Sequence, residues 1–248
     1  MKTLLASLLL LALSAGPALA QLSEATPDFQ SVRILQTATP VFPESLIPLY
    51  RNGGHARMEI SVGEDGKLGE LLVTGYNHPG FAKAAVEAVR EWEFAPARWK
   101  GEAVSVSITL NFDFEVKGVV ISTTGSELIE AQFNSIMGSR DVYHPCTLRE
   151  LDRIPIPVTS ISPSYPKDLA DRGVEGEVTV EFYIDEQGAV RMPFVLGRPS
   201  TALANLAVSA VRQWTFEPPT RQGQPVLVHV RQLFRFKPTS TSMAAIKP

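Results

Sequence analysis

GEVTVEFYIDEQGAVRMPFVL, residues 176–196, carries the reading of the fold. Val178, Val180, Phe182 and Ile184 alternate with Glu177, Thr179, Glu181 and Tyr183, which is the period of a strand buried on one face. Gln187-Gly188 then supplies a glycine able to take positive φ, as a tight hairpin turn requires. A second short strand is predicted from Val190 to Leu196. After it the period becomes helical, with Leu203, Leu206, Ala207, Ala210, Val211 and Trp214 at spacings of one, three and four. Pro218 ends that segment. A long last strand follows, its inward row being Val226, Val228, Val230, Gln232, Phe234 and Phe236.

The same pattern occurs earlier in the chain. Gly54 to Phe114 overlays Gly176 to Phe236 without a gap at a constant offset of 122, and about a third of the pairs are identical. Gly66 matches Gly188, Trp92 matches Trp214, Phe94 matches Phe216, Pro96 matches Pro218 and Gly101 matches Gly223. Pro40-Val41-Phe42-Pro43 corresponds to Pro163-Ser164-Tyr165-Pro166 with one extra residue absorbed. The fold class read from this is α+β, two tandem ββαβ modules, each a three-stranded antiparallel sheet with one helix packed on one face. The first copy runs over 38–115 and the second over 161–238. The connecting 116–160 holds a Gly/Ser/Thr stretch and a short amphipathic helix from Ser126 to Gly138, and 239–248 is a disordered tail.

Residues 1–20 read as a signal peptide: Lys2, an apolar run from Leu4 to Leu13, and the small-x-small pattern Ala18-Leu19-Ala20. The run is shorter than the roughly 20 residues of a membrane span, so after cleavage no stable membrane insertion is expected. An uncleaved anchor is the alternative. The net charge of −3 provides no basic excess for nucleic acid. Cys146 is the sole cysteine, so it forms no intrachain disulfide and reads as a shielded or intermolecularly paired thiol.

The order P-x-(Tyr/Phe)-P, G-x-V-x-V-x-F-x-I-D-x-x-G-x-V, a helix closing on W-x-F-x-P, then G-x-P-V before a long strand resembles the C-terminal domain of TonB. The second copy matches throughout, from Pro163, Tyr165 and Pro166 to Gly223, Pro225 and Val226. The first is looser, with Phe42 for the tyrosine, Gly63 for the aspartate and Ala103 for the proline. The resemblance implies a periplasmic protein of the Gram-negative envelope whose terminal strand pairs with an extended peptide, the TonB box of outer-membrane TonB-dependent receptors. Proteins similar to TonB also carry an anchoring helix and a proline-rich stalk. The pattern of this sequence shows neither, so peptide capture is expected and force transmission is not.

Strand addition needs a free edge, and the last strand of a three-stranded sheet has one. In the second copy its outward row is Leu227, His229, Arg231, Leu233 and Arg235, which suits an extended segment with aliphatic and acidic residues. Together with Tyr165 and Pro166 these are the expected partner-binding residues. The alternative keeps Arg231 and Arg235 as gatekeepers against aggregation. The first copy has Ser105, Ser107, Thr109, Asn111 and Asp113 there, a plain solvated face. Trp92, Trp214, Gly66 and Gly188 are expected to be structural. His55, His78, His144 and His229 show no metal-ligand or triad spacing, and Glu181 and Asp185 read as surface charges. No catalytic residue, metal or cofactor is expected. The functions that remain are capture of receptors or other envelope proteins, a scaffold formed by self-association of the tandem domains, and an anchored energy transducer if the N-terminus is retained.

Overall fold

A nine-residue strand with small and apolar residues at every second position can bury one face and leave the other to a neighbour. In the computed structural model, which describes residues 28–116, 118–124, 142–197 and 199–237, two such strands head the two copies. In the first copy β1 (Phe29–Gln30) and β2 (Arg33–Gln36) precede β3 (Gly54–Val62), β4 (Leu68–Tyr76) and helix α1 (Pro79–Val89). Short strands β5 (Glu93–Ala95), β6 (Ala97–Trp99) and β7 (Glu102–Val104) lead into β8 (Val106–Glu115) and β9 (Gly118–Thr124). The second copy contains β10 (Pro157–Thr159), a short α2 (Lys167–Asp171), β11 (Gly176–Ile184), β12 (Val190–Leu196) and α3 (Thr201–Val211). It closes with β13 (Thr215–Phe216), β14 (Thr220–Arg221), β15 (Gln224–Pro225) and β16 (Val228–Phe236). The architecture is mixed α and β, with antiparallel sheets and three helices among the described residues.

Both hairpin turns demand glycine. Gly66 has φ +78° and a Cβ there would stand 2.6 Å from the Phe94 carbonyl oxygen; Gly188 has φ +82° and a Cβ there would stand 2.0 Å from that of Phe216. After the first hairpin the chain enters α1 at His78, whose Nδ1 accepts the Gly80 N–H at 3.0 Å, with Pro79 in the first turn where no donor is missed. Phe81, Ala82, Ala85 and Val89 turn inward from α1 onto Met58, Ile60, Leu110, Phe112 and Phe114. In the second copy Leu203, Ala207 and Val211 of α3 cover Val178, Val180, Phe182 and Ile184.

The tryptophans pin a preceding strand to each copy. Trp92 Nε1 donates to the Ala38 carbonyl at 2.9 Å and Trp214 Nε1 to that of Ile161 at 2.8 Å, while β2 pairs with β5 and β10 with β13. Trp92 is 5% exposed, whereas Trp214 is half-buried.

The sheets differ in one strand. The second has the expected three, in the order β12-β11-β16, but the first has four, β4-β3-β8-β9. The stretch read as the start of a connection returns as a hairpin, Glu115 opposite Gly118 and Asn111 opposite Ser122. Its Val119 and Ile121 pack at the border of the first core, so β-branched residues cover an edge that would otherwise present bare backbone groups. The helix expected from Ser126 to Gly138, the signal peptide and the tail lie outside the described residues.

Candidate functional site

The long strands keep the repeat's register. β3 pairs with β8 from Gly54↔Phe114 to Val62↔Val106, and β11 with β16 from Gly176↔Phe236 to Ile184↔Val228, both unbroken. Along a strand, the N–H and C=O of one residue point to one side and those of the next to the other. One contact identifies the outer side of β16: Cys146 N donates to Leu227 O at 2.8 Å, and His229 N donates to Cys146 O at 3.1 Å, a single parallel bridge. The alternation then turns the backbone groups of Arg231, Leu233 and Arg235 to that outer side. Beyond Cys146 no strand lies along this edge among the described residues.

The side chains of the outward row are less uniform than expected. Leu233 is 40% exposed, and Arg231 and Arg235 are exposed as well. Each arginine meets a carboxylate on the neighbouring strand: Arg231 pairs with Glu181, and Arg235 Nε lies 2.8 Å from Glu177 Oε1. These partners lessen the acidic preference that the row suggested. His229 is half-buried, with Nε2 3.6 Å from Glu181 and its ring 4.9 Å from that of Tyr183. Tyr165 and Pro166 do not join the edge. The Tyr165 hydroxyl donates to the Val174 carbonyl and its ring lies 5.9 Å from Phe236, so it supports the end of β16 from the core side, and Pro166 O accepts the Leu169 N–H where α2 begins.

Three expectations are corrected, in part by the way the two copies meet. Leu227 is 1% exposed, packed with Leu72, Tyr183 and Met192 and bordered by Tyr143. Glu181 is 1% exposed and Asp185 6%, although both read as surface charges. Asn111, read as part of a solvated face, is 5% exposed and accepts a hydrogen bond from Arg57 Nε at 3.2 Å. The cause for the outer face of β11 is that, in place of water, it meets the first copy, where the Tyr183 hydroxyl donates to Glu59. Asp185 is enclosed by its own turn, where its Oδ1 accepts the N–H groups of Gln187 and Ala189, and Arg191 lies 3.5 Å from its other oxygen.

Polar contacts continue along this seam. Arg191 pairs with Glu70, which also accepts the Met192 N–H at 3.0 Å, and Arg191 Nη2 donates to Leu71 O at 3.3 Å. Burial alone would lower the Arg191 guanidinium, but Glu70 and Asp185 hold it above its ordinary value. Tyr143 stacks on Tyr76 at 4.8 Å and donates to Glu186 at 2.6 Å; burial, reinforced by Glu186, pushes its phenol up. Burial likewise raises the Cys146 thiol, which keeps it in its unreactive form. Among the described residues no group of three or more His, Cys, Asp or Glu could hold a metal ion, and no helix is long and apolar enough to cross a membrane. The sequence reading missed the Cys146 rung and β9, although Val119-Val120-Ile121 after Gly118 was a usable strand signal.

Comparison with known proteins supplies the last observation. The family model for the Gram-negative bacterial TonB protein C-terminal matches residues 39–116 and, again, 161–238, more than half of the chain. Protein TonB of Vibrio cholerae serotype O1 is 31% identical over 88 residues, which cover 35% of this chain and 36% of that relative. The match thus spans about a third of the relative's length. A solution NMR structure of the Pseudomonas aeruginosa TonB CTD matches at 30% identity, covering 38% of this chain and 94% of that one, with a TM-score of 0.32.

Proposed function

The chain belongs to the family of Gram-negative bacterial TonB C-terminal domains, in two tandem copies, and from that premise we propose that it is a periplasmic protein-binding module. It captures extended segments, such as the TonB boxes of outer-membrane TonB-dependent receptors or segments of other envelope proteins, by strand addition. Export by a cleaved segment at 1–20 would bring it there. The activity is binding rather than catalysis. The observation that carries this reading is the outer edge of β16, where the backbone groups of Leu233 and Arg235 face away from β11 and no described strand lies beyond Cys146. Backbone pairing along such an edge supplies the affinity, and side chains add selectivity. Leu233 offers an aliphatic contact, and the arginines, already paired within the chain, contribute less.

The self-pairing scaffold is favoured by one observation, the buried seam between the copies. That seam joins sheet faces within one chain and leaves the β16 edge outside it. A second molecule adding antiparallel about Leu233 would also set Arg231 against Arg235, and like charges directly opposite destabilise a strand pair.

Leu233→Pro tests the reading. Its N–H faces the outer side, so proline costs the β11–β16 ladder no donor, yet it blocks an added strand. Crosslinking pull-down from periplasm and outer membrane with the full chain as bait should recover partners that the variant loses, while both keep the same circular-dichroism spectrum. Recovery of the same partners by the folded variant would overturn strand addition at this edge.

A further inference from the structure

The two long strands present the same outer side to different surroundings. Because β3–β8 and β11–β16 share one register at an offset of 122, Thr109, Asn111 and Asp113 of β8 stand where Arg231, Leu233 and Arg235 stand on β16. On β16 that side carries the single Cys146 bridge. On β8 it carries β9, with Thr124 opposite Thr109, Ser122 opposite Asn111 and Val120 opposite Asp113. An antiparallel strand of about seven residues already lies on the first module, in the place where the proposed function puts an incoming segment on the second.

We infer that the β8 edge is a second strand-receiving site of the same kind, held shut by the chain's own β9, so that the intact chain takes one extended segment and a chain with β9 withdrawn takes two. This rests on the proposed function only for the nature of the ligand; the geometry of β8 and β9 stands by itself. The occupant it fits has the chemistry of β9: aliphatic residues at the Val119 and Ile121 positions, which pack at the border of the first core, with small polar residues after them. β9 holds its place through connectivity. It is joined to β8 by the tight turn after Glu115, and an attached strand competes at an effective concentration in the millimolar range for a short linker. Its own hold is modest, since it is an edge strand whose Val120 is 58% exposed. Past residues 125–141 the same connection reaches Val142, whose N–H donates to Tyr76 O at 2.9 Å, and then Cys146 on β16. One segment therefore bears on both edges.

The probe is the β9 sequence itself, an acetylated and amidated peptide GVVISTT, titrated calorimetrically into the full chain. Intact protein should bind one equivalent, and Leu233→Pro should abolish that binding. Val120→Pro combined with Ser122→Pro removes two donors that face β8 and releases β9. This variant should bind one equivalent more than the intact chain, and the extra equivalent should survive Leu233→Pro. A variant with 118–124 replaced by alternating glycine and serine should behave in the same way without added proline. If either folded variant binds no more than the intact chain, the latent site is overturned while the β16 reading stands. Binding confined to the β9 variants would overturn the β16 reading and keep the latent site, and no binding to any protein would sink both. Loss of the native circular-dichroism spectrum in both variants also overturns the latent site, because an edge that cannot exist without β9 is not a receiving edge.

Discussion

The two copies bury the same kind of core under the same kind of helix, yet among the described residues the last strand of one is covered by a further strand and that of the other is not. Along β8 the outer edge is paired with β9, and along β16 Cys146 is the one described residue that bridges the outer edge, with no described strand beyond it as far as Arg235. Their outward faces differ in the same sense. The first presents polar residues such as Asn111 that are drawn into burial, and the second keeps Leu233 at the surface. A duplicated sequence thus keeps its fold through the core positions while its edges diverge, and edges are where an antiparallel sheet meets other chains.

The largest test of this comparison concerns the cores. Trp92→Ala should cost about 3–5 kcal/mol, the usual price of truncating a buried aromatic, whereas Trp214→Ala should cost clearly less because its indole is half-buried. Thermal unfolding of both variants measures the difference; equal losses would show that the second tryptophan is as deeply packed as the first.

A smaller effect is expected at the seam. Glu70→Ala removes the carboxylate that holds the Arg191 guanidinium and the Met192 N–H, and should weaken the coupling between the copies by about 1–3 kcal/mol. Limited proteolysis between the copies should accelerate, with the two cores unchanged by their tryptophan fluorescence. Unaltered cleavage would mean that the apolar cluster around Leu72, Tyr183, Met192 and Leu227 holds the seam without the ion pair.

Smaller still, and opposite in the two copies, is the response of the last strands to proline. Leu233→Pro should change stability by less than about 1 kcal/mol, because its donor faces outward, while Thr109→Pro removes a rung to β9 and should cost about 0.5–1.5 kcal/mol. Denaturant midpoints decide this. A larger loss from Leu233→Pro would show that the β16 edge is covered.

The smallest difference lies in the loops before the last strands. Lys100 and Gln222 both have positive φ and each is followed by a glycine, but Lys100 N donates to the Asp28 carbonyl whereas Gln222 N and Gly223 N donate to the Asp152 carboxylate at 2.7 and 2.8 Å. Those two N–H groups hold the Asp152 carboxyl below its ordinary value of 3.8. The contribution is therefore fully present above pH 3.8 and is lost as the pH falls through the depressed value. Hydrogen exchange of the Gln222 and Gly223 amides should speed up in acid while that of Lys100 does not follow it. Asp152→Asn should remove the dependence.

The sequence by itself determined the repeat, the strand–turn–strand–helix order at the head of each copy, the two turn glycines and the identity of the core rows. These follow from local periodicity and from residues whose backbone demands are their own: the alternation of Val178, Val180, Phe182 and Ile184 selects the face that enters the core of its own module, and Gly66 and Gly188 meet carbonyl oxygens that no side chain could approach. It also pointed to the row of Arg231, Leu233 and Arg235. Tertiary structure alone decided which edge stays open and which charges are buried. Alternation places Glu181 and Leu227 outward, but it cannot say whether water or another module lies there, and that difference turns a surface carboxylate into one 1% exposed. Nor does a Gly-Val-Val-Ile run after a hairpin reveal whether it continues as a connection or folds back onto β8. That outcome depends on the unpaired backbone of a strand whose edge exists only once the sheet has formed, just as the place of Cys146 depends on a β16 more than eighty residues further along the chain.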